Sequence, residues 1–208
     1  MPSHNPIKII AKTLWKLIAA VLLIALLAIV ATSASPVYDF SEPNPFSGPD
    51  IFNPYSAVKG MDSVAWKRAN FHTHTRVTGP LNECKFWPED VDKAYRKLGY
   101  DIVTFSNHNE LTTHPTDSAL QVNVYEHGIN IFKYHKLVFG AKAVNRFDNI
   151  LPLFVWQKQF QLDWLAEGAD FIQMNHPRRT IGTSQSHFRK LEGYRIMELE
   201  SHKTTENE

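Results

Sequence analysis

Three patterns of apolar and polar positions follow one another along the chain. Residues Leu17 to Ala31 form an uninterrupted uncharged run, LIAAVLLIALLAIVA. The run has no polar face, so it does not read as a helix laid on a soluble core. Leu14, Trp15 and the Thr32–Ala34 stretch extend it toward the ~20 residues that a membrane span needs. Lys8, Lys12 and Lys16 precede it, and the first acids, Asp39 and Glu42, follow it. Basic residues stay cytoplasmic, which places the bulk of the chain across the membrane. Small residues at Ala31, Ser33 and Ala34 also suit a signal peptide, with cleavage after Ser33 or Ala34 left open by Pro36. Residues 1–35 are thus a signal anchor or a signal peptide. The expected location is membrane-anchored or secreted, with the domain outside the cytoplasm (periplasmic in a Gram-negative cell).

Residues 36–60 break both periodicities. Pro36, Pro43, Pro45, Pro49 and Pro54, with Ser, Asn and Gly between them, make an extended linker without a core. A domain over 61–208 follows. There, Val91, Ala94, Tyr95 and Leu98 recur at helical spacing, so Pro88–Leu98 is a predicted helix. Pro88, Glu89 and Asp90 suit its first turn, Arg96 and Lys97 its last, and Gly99 its cap. The short apolar strand YDIVTF comes next. A second helix carrying Trp156, Phe160, Trp164 and Leu165 ends at Gly168 and leads into ADFIQM; these aromatics are expected in the core. A third unit has Phe188 and Leu191, then Gly193, then YRIMEL. Ala119–Tyr125 and Asn130–Phe139 are further candidate strands, and NFH at 70–72 closes the first. Helix, glycine and buried strand in repetition predict an α/β domain with a mainly parallel sheet.

Composition narrows the function. A charged fraction of 21% and a hydrophobic fraction of 43% describe a globular chain. A formal net charge of +1 supplies no basic field, so no nucleic-acid partner is inferred. The lone Cys84 excludes an internal disulfide and reads as a small packed residue. The ten histidines are the unusual feature, because several fall at strand ends.

GYDIVTFSNH ends at His108, GADFIQMNH at His176, and NFHTH at His72 and His74. In α/β folds the ligand site lies at the carboxyl ends of the strands, so separate strands deliver these imidazoles to one rim. His72 and His74, two residues apart on an extended segment, face the same way and can share an ion. With Glu126 and His135 from the middle strands, the set is that of a divalent-metal site for Zn, Mn or Fe. A bridging carboxylate such as Glu126 permits two ions close together. Such a centre activates water and clamps the attacking and leaving oxygens of a phosphoester. His127 should point to the opposite face of its strand. His114, His187 and His202 are expected to be exposed or structural. Asp101 and Asp170 lie low on their strands and serve the fold.

FHTHT (71–75), DIVTFSNHN (101–109), YEHG (125–128), FKYHKLVFG (132–140) and MNHP (174–177) occur in that order. Together they resemble the motifs of the PHP superfamily, the polymerase and histidinol phosphatase domains, over about residues 66 to 200. The resemblance implies a distorted seven-stranded βα barrel with two or three divalent ions, acting on a small phosphorylated substrate. It implies His72, His74, His108, His135 and His176 as metal ligands and Glu126 as the bridge. Three positions depart from the pattern. Gly79 and Pro80 stand where an acid or histidine ligand is usual, and Glu83 is displaced from that spacing. Asn107 replaces an aspartate. The closing Asp-x-His motif does not follow MELESHKTTENE, which makes the expected barrel incomplete and the domain C-terminally shortened.

Arg178, after NHP, and Arg76, after FHTHT, share the rim. Each is read either as a forked contact to substrate phosphate or as a solvated loop residue. The leading expectation is a metal-dependent phosphoesterase using metal-bound hydroxide. The alternatives are a catalytically inactive, membrane-tethered metal-binding remnant, and an amidohydrolase-like hydrolase in which Lys133 or Lys136 would be the modified lysine.

Overall fold

The computed structural model describes residues 6–39, 67–80, 82–113, 122–149, 151–181 and 183–198. Residues 40–66 of the linker and domain start, His114, positions 119–121 of one expected strand, and residues 199–208 with His202 lie outside them. The chain is mixed α/β, with an N-terminal apolar helix and two sheets.

Helix α1 spans Pro6–Thr32, 27 residues. It is long and apolar enough to cross a membrane, and its large side chains stay exposed, Leu22 by 64%. It ends where Thr32 Oγ1 donates back to the carbonyls of Ala28 and Ile29, which competes with continued helix.

Strand β1 (Ala69–Asn70) pairs in parallel with β2 (Ile102–Val103). Between them runs α2 (Pro88–Lys97), with Pro88 in its first turn and Gly99 in the left-handed conformation beyond its end. Its packed side carries Val91, Asp92 and Tyr95, against Val103 and Phe105. Ala94 and Leu98, expected on that face, are exposed. Cys84 packs against the same cluster, as a small apolar residue would.

The second sheet has the order β3-β4-β5-β6: Val124–His127, Lys136–Phe139, Phe171–Met174 and Ile196–Met197. Only β5 and β6 run in parallel; β4 is antiparallel to both neighbours. This corrects the expectation of a mainly parallel sheet. Strands β3 and β4 are joined by residues 128–135 without a helix. That connection is too short for the crossover that parallel neighbours require. The excursion from Gly140 to Asp170 includes α3 (Val155–Ala166) yet returns to the end of β4 that it left, where the Asp170 N–H donates to Phe139 O. Gly140 has φ +70°, and an added Cβ would overlap the Asp170 carboxylate, so glycine is required there. Asp101 serves the fold by accepting from the Arg68 N–H. A parallel bridge between His108 and Glu126 connects the segment after β2 to β3 and links the two sheets.

Alternation sorts the second sheet into two faces. One carries Val124, Leu137 and Phe139, with Phe71 and Phe171 packed on them. The other carries Tyr125, Val138, Ile172 and Met174, packed on Leu162 and Leu165 of α3. Burying each such side chain contributes about 1.5–3 kcal/mol. The packed side of α3 also holds Gln157, Lys158 and Gln161. Trp156 and Phe160 are only half-buried and Trp164 is 46% exposed, so the aromatic stripe is not the core face expected of it. The polar side chains can take that place because each finds partners. Lys136 Nζ donates to Tyr134 O and Gln161 Oε1, and Gln161 Nε2 donates to Asp148 Oδ1. Burial pushes Lys136 down to about 7.

His127 points to this α3 face, as alternation predicts, and donates from Nε2 to Phe147 O at 2.8 Å. Burial, then the Lys136 charge, hold its pKa down to about 3. An unfolded histidine titrates near 6.5, so between about pH 6.5 and 3 the unfolded chain binds a proton that the folded chain refuses. Stability is therefore lost as pH falls through that window. The His127→Gln variant keeps the donor but not the titration. Its denaturation midpoint should depend less steeply on pH, by ~2 kcal/mol of stability near pH 5. Equal slopes in parallel urea titrations would show that His127 is not the group.

Candidate metal centre

The rim is assembled by strand direction. Segments running with β1 and β2 deliver His72, His74 and His108 beyond their ends, and β5 delivers His176. Because β4 is reversed, His135 reaches the same rim from just before its strand. The HxH segment lies past the paired residues of β1. It is held to its neighbour by Thr73 N–H to Ser106 Oγ and Thr75 N–H to Asn107 Oδ1. Asn107 Nδ2 also donates to Thr75 Oγ1 and Thr112 Oγ1. The asparagine that departs from the resembled motif thus uses its whole amide to fix the strand segment bearing His74.

Glu126 lies at the centre, 1% exposed. Its Oε1 is 3.4 Å from His72 Nε2, 3.3 Å from His135 Nδ1 and 3.3 Å from His176 Nε2. Its Oε2 is 3.0 Å from His74 Nε2 and 3.3 Å from His108 Nε2. Asn175 Nδ2 donates to Oε1 at 2.8 Å. All six residues expected as ligands therefore converge. Two subsets bring their ligand atoms within 4.8 Å of one another: His72, Glu126, His176 and His74, His108, Glu126.

Two features fit this donor set to cations. A carboxylate offers about four acceptor positions, whereas five imidazoles and an amide crowd this one. Ligand atoms ~2.1 Å from a shared ion stand roughly 3.0–3.4 Å apart, which is the spacing found around Glu126. Without an ion the electrostatics are uneven. Burial alone would raise the Glu126 pKa, but hydrogen bonds from His135, His176, His72 and His74 hold it well below the usual carboxylate range. Burial would lower His72, but Glu126 and Glu198 raise it to about 10. Burial pushes His108 and His135 down.

Two acids were not singled out from the sequence. Glu198 Oε2 lies 3.2 Å from His72 Nδ1 and accepts the His176 N–H at 2.7 Å. It joins ligand candidates from the two sheets, and its place just past β6 is the same strand-end signal that marks the histidines. Glu83 stands 3.6 Å from His108 Nε2 and 4.0 Å from His74 Nε2. It is the only acid between His74 and Pro88 in the sequence.

Arg76 is exposed and lays its guanidinium over Trp87, 4.7 Å from the ring centroid. Arg178 lies in the tight turn Pro177–Arg179 and lines a cavity of about 560 Å³ that Glu198 also lines. A smaller cavity of about 230 Å³ is walled by Glu83, His108, His135, Gly128 and Lys133. Lys136 is on the α3 face, turned away from Glu126. Among the described residues, the non-glycine positions with positive φ are Asn109, Lys133 and His176, all beside this rim. Such conformations cost energy and gather at functional sites. His187 lies in the short helix α4 (Gln185–Phe188), away from the rim, where Lys158 Nζ donates to its Nδ1.

Comparison with protein-family models, curated proteins and solved structures finds no match to this chain.

Substitutions at two positions test the geometry. Glu198→Ala should weaken zinc or manganese binding ~10–100-fold while Glu198→Gln, which keeps an acceptor for His72 Nδ1, stays close to the parent. Calorimetric titration giving equal affinities for all three would remove Glu198 from the site. Gly128 has φ +123°, and a Cβ there would lie 2.7 Å from His135 Cδ2. Gly128→Ala should cost about 1–3 kcal/mol of stability in thermal unfolding and weaken metal binding with it.

Proposed function

We propose that this chain is a metal-dependent phosphoesterase of the PHP kind, acting on a small phosphorylated substrate. The observation that carries the proposal is the buried Glu126 carboxylate, which gathers three imidazoles on one oxygen and two on the other. That partition suits two divalent ions, Zn, Mn or Fe, bridged by one carboxylate. Bound there, the ions would polarise water toward phosphorus and offset the charge of the phosphoryl oxygens. The protein's own part is positioning. His72, His135 and His176 hold one side, His74 and His108 the other, and Glu198 and Asn175 orient these groups from outside. Glu83 lines the smaller cavity. Arg178 lines the larger cavity together with Glu198, which supports it as the arginine for a phosphate.

The run of strands β1, β2, the His108 segment, β3, β4, β5 and β6 supports reading the sheets as the wall of an incomplete distorted barrel, with α3 outside. We take α1 as a membrane anchor that holds the domain outside the cytoplasm, its apolar exposed length being the support. A second reading, a metal-binding domain without turnover, is favoured by one observation. Among the described residues, β1 and β6 each pair on one side only, so the wall is open where they stand.

The test uses the full chain in lipid nanodiscs, with metal content measured beside hydrolysis of nitrophenyl phosphate mono- and diesters. Added manganese or zinc should support hydrolysis, and Glu126→Ala should lower it at least ~100-fold together with bound metal. Stoichiometric metal without hydrolysis of either ester would select the second reading. Absence of metal in the unsubstituted chain would end both.

A further inference from the structure

The outward side of α3 carries the residues that a core helix would bury. Trp156, Phe160 and Trp164 follow one another at successive turns, opposite Lys158, Gln161, Leu162 and Leu165. Phe147 stacks on Trp164 at 5.1 Å and meets Phe160 edge-on at 5.8 Å. Phe154 stacks on Trp156 at 4.3 Å, extending the ridge past the start of the helix. Trp164, Phe147 and Phe154 are 46%, 41% and 39% exposed. Contiguous exposed aromatics of this kind mark an interaction surface, whereas scattered ones do not.

The place of α1 says what covers this surface. Helix α1 contacts α3, and Thr32 at its end is buried. Just beyond, the Tyr38 hydroxyl is hydrogen-bonded to Glu192, with Asp163 of α3 nearby. Asp163 lies next to the ridge on the same helix. The chain thus leaves its apolar helix at the flank of the aromatic stripe. Tryptophan is a residue of the membrane–water boundary, and phenylalanine lies with it on the lipid-facing side of interfacial helices. Trp156 offers the surface only the apolar part of its ring, since its Nε1 is buried. Arg146, exposed and adjoining Phe147, can reach a headgroup phosphate. Asp163 on α3 and Glu167 just past its end, both exposed, limit insertion to the boundary.

We infer that the ridge formed by Phe147, Phe154, Trp156, Phe160 and Trp164 rests on the lipid surface beside the exit of α1. This rests on the reading of α1 as a retained anchor. The domain is then held at two places, by the helix and by the ridge, and cannot swing freely on its tether.

Intrinsic fluorescence tests it in the full chain, reconstituted in bilayers of ordinary or brominated phosphatidylcholine, since bromine quenches only tryptophans near lipid. The conservative variants Trp156→Phe and Trp164→Phe should each remove a share of the bromine-sensitive emission comparable to that removed by Trp15→Phe in α1. Trp87→Phe, at the start of α2, should remove none. If Trp15→Phe lowers the bromine-sensitive part and neither ridge variant does, the ridge is covered by protein or water and the inference is overturned. If Trp15→Phe leaves that part unchanged as well, the anchor reading fails first and the inference falls with it.

Discussion

A carboxylate deprived of water must be neutralised or surrounded by donors. Glu126 is in that position, and much of the domain is arranged around it. Its backbone is fixed on both sides: its N–H donates to Asn107 O, and its carbonyl accepts from Asn109. The same bridge that links the two sheets therefore also sets the height of the carboxylate. His108 arrives through that bridge, His135 through the adjacent strand, and His176 with Asn175 through the strand after it. His72 and His74 close the circle from the first sheet. Moving any one strand along its register would pull an imidazole from the carboxylate, so pairing and site geometry are one constraint.

The site was largely legible in the sequence, and for a physical reason. Histidines that end apolar strands have one rim to go to, and two residues of extended chain return a side chain to the same face. His127 was excluded by that alternation and does lie on the α3 side. What the residues did not disclose was direction: nothing in the composition of Lys136–Phe139 reveals that β4 runs backwards. Spacing from His74 sets Glu83 aside, yet loop geometry carries it back to the rim. Glu198 is hidden because its role depends on β6 lying beside β5, a pairing of distant segments that no local pattern records.

Helix α3 departs from its apolar pattern for a different reason. Periodicity ranks Trp156, Phe160 and Trp164 as the packed face, since apolar area usually decides which side is buried. Here the opposing side satisfies its polar groups one by one. Lys136 meets Gln161, Gln161 meets Asp148, and Gln159 accepts the Glu192 N–H while its own amide donates to Asp163. Once those groups are paired, their burial costs little, and the aromatics are released to face outward. Hydrogen-bond complementarity of this kind depends on partners distant in the chain, so a local pattern does not record it.

The reversal of β4 has an evolutionary corollary. Every other histidine of the set follows its strand, so its placement tolerates variation in whatever leads up to that strand. His135 precedes its strand and hangs on the loop from Gly128. That loop is clamped at both ends, with Asn130 bonded to Tyr134 in both directions and Thr180 Oγ1 donating to Lys133 O. Residues 128–135 should accordingly resist changes in length during divergence, while the excursion between β4 and β5, which bears no ligand, is free to lengthen, shorten or acquire new surface roles.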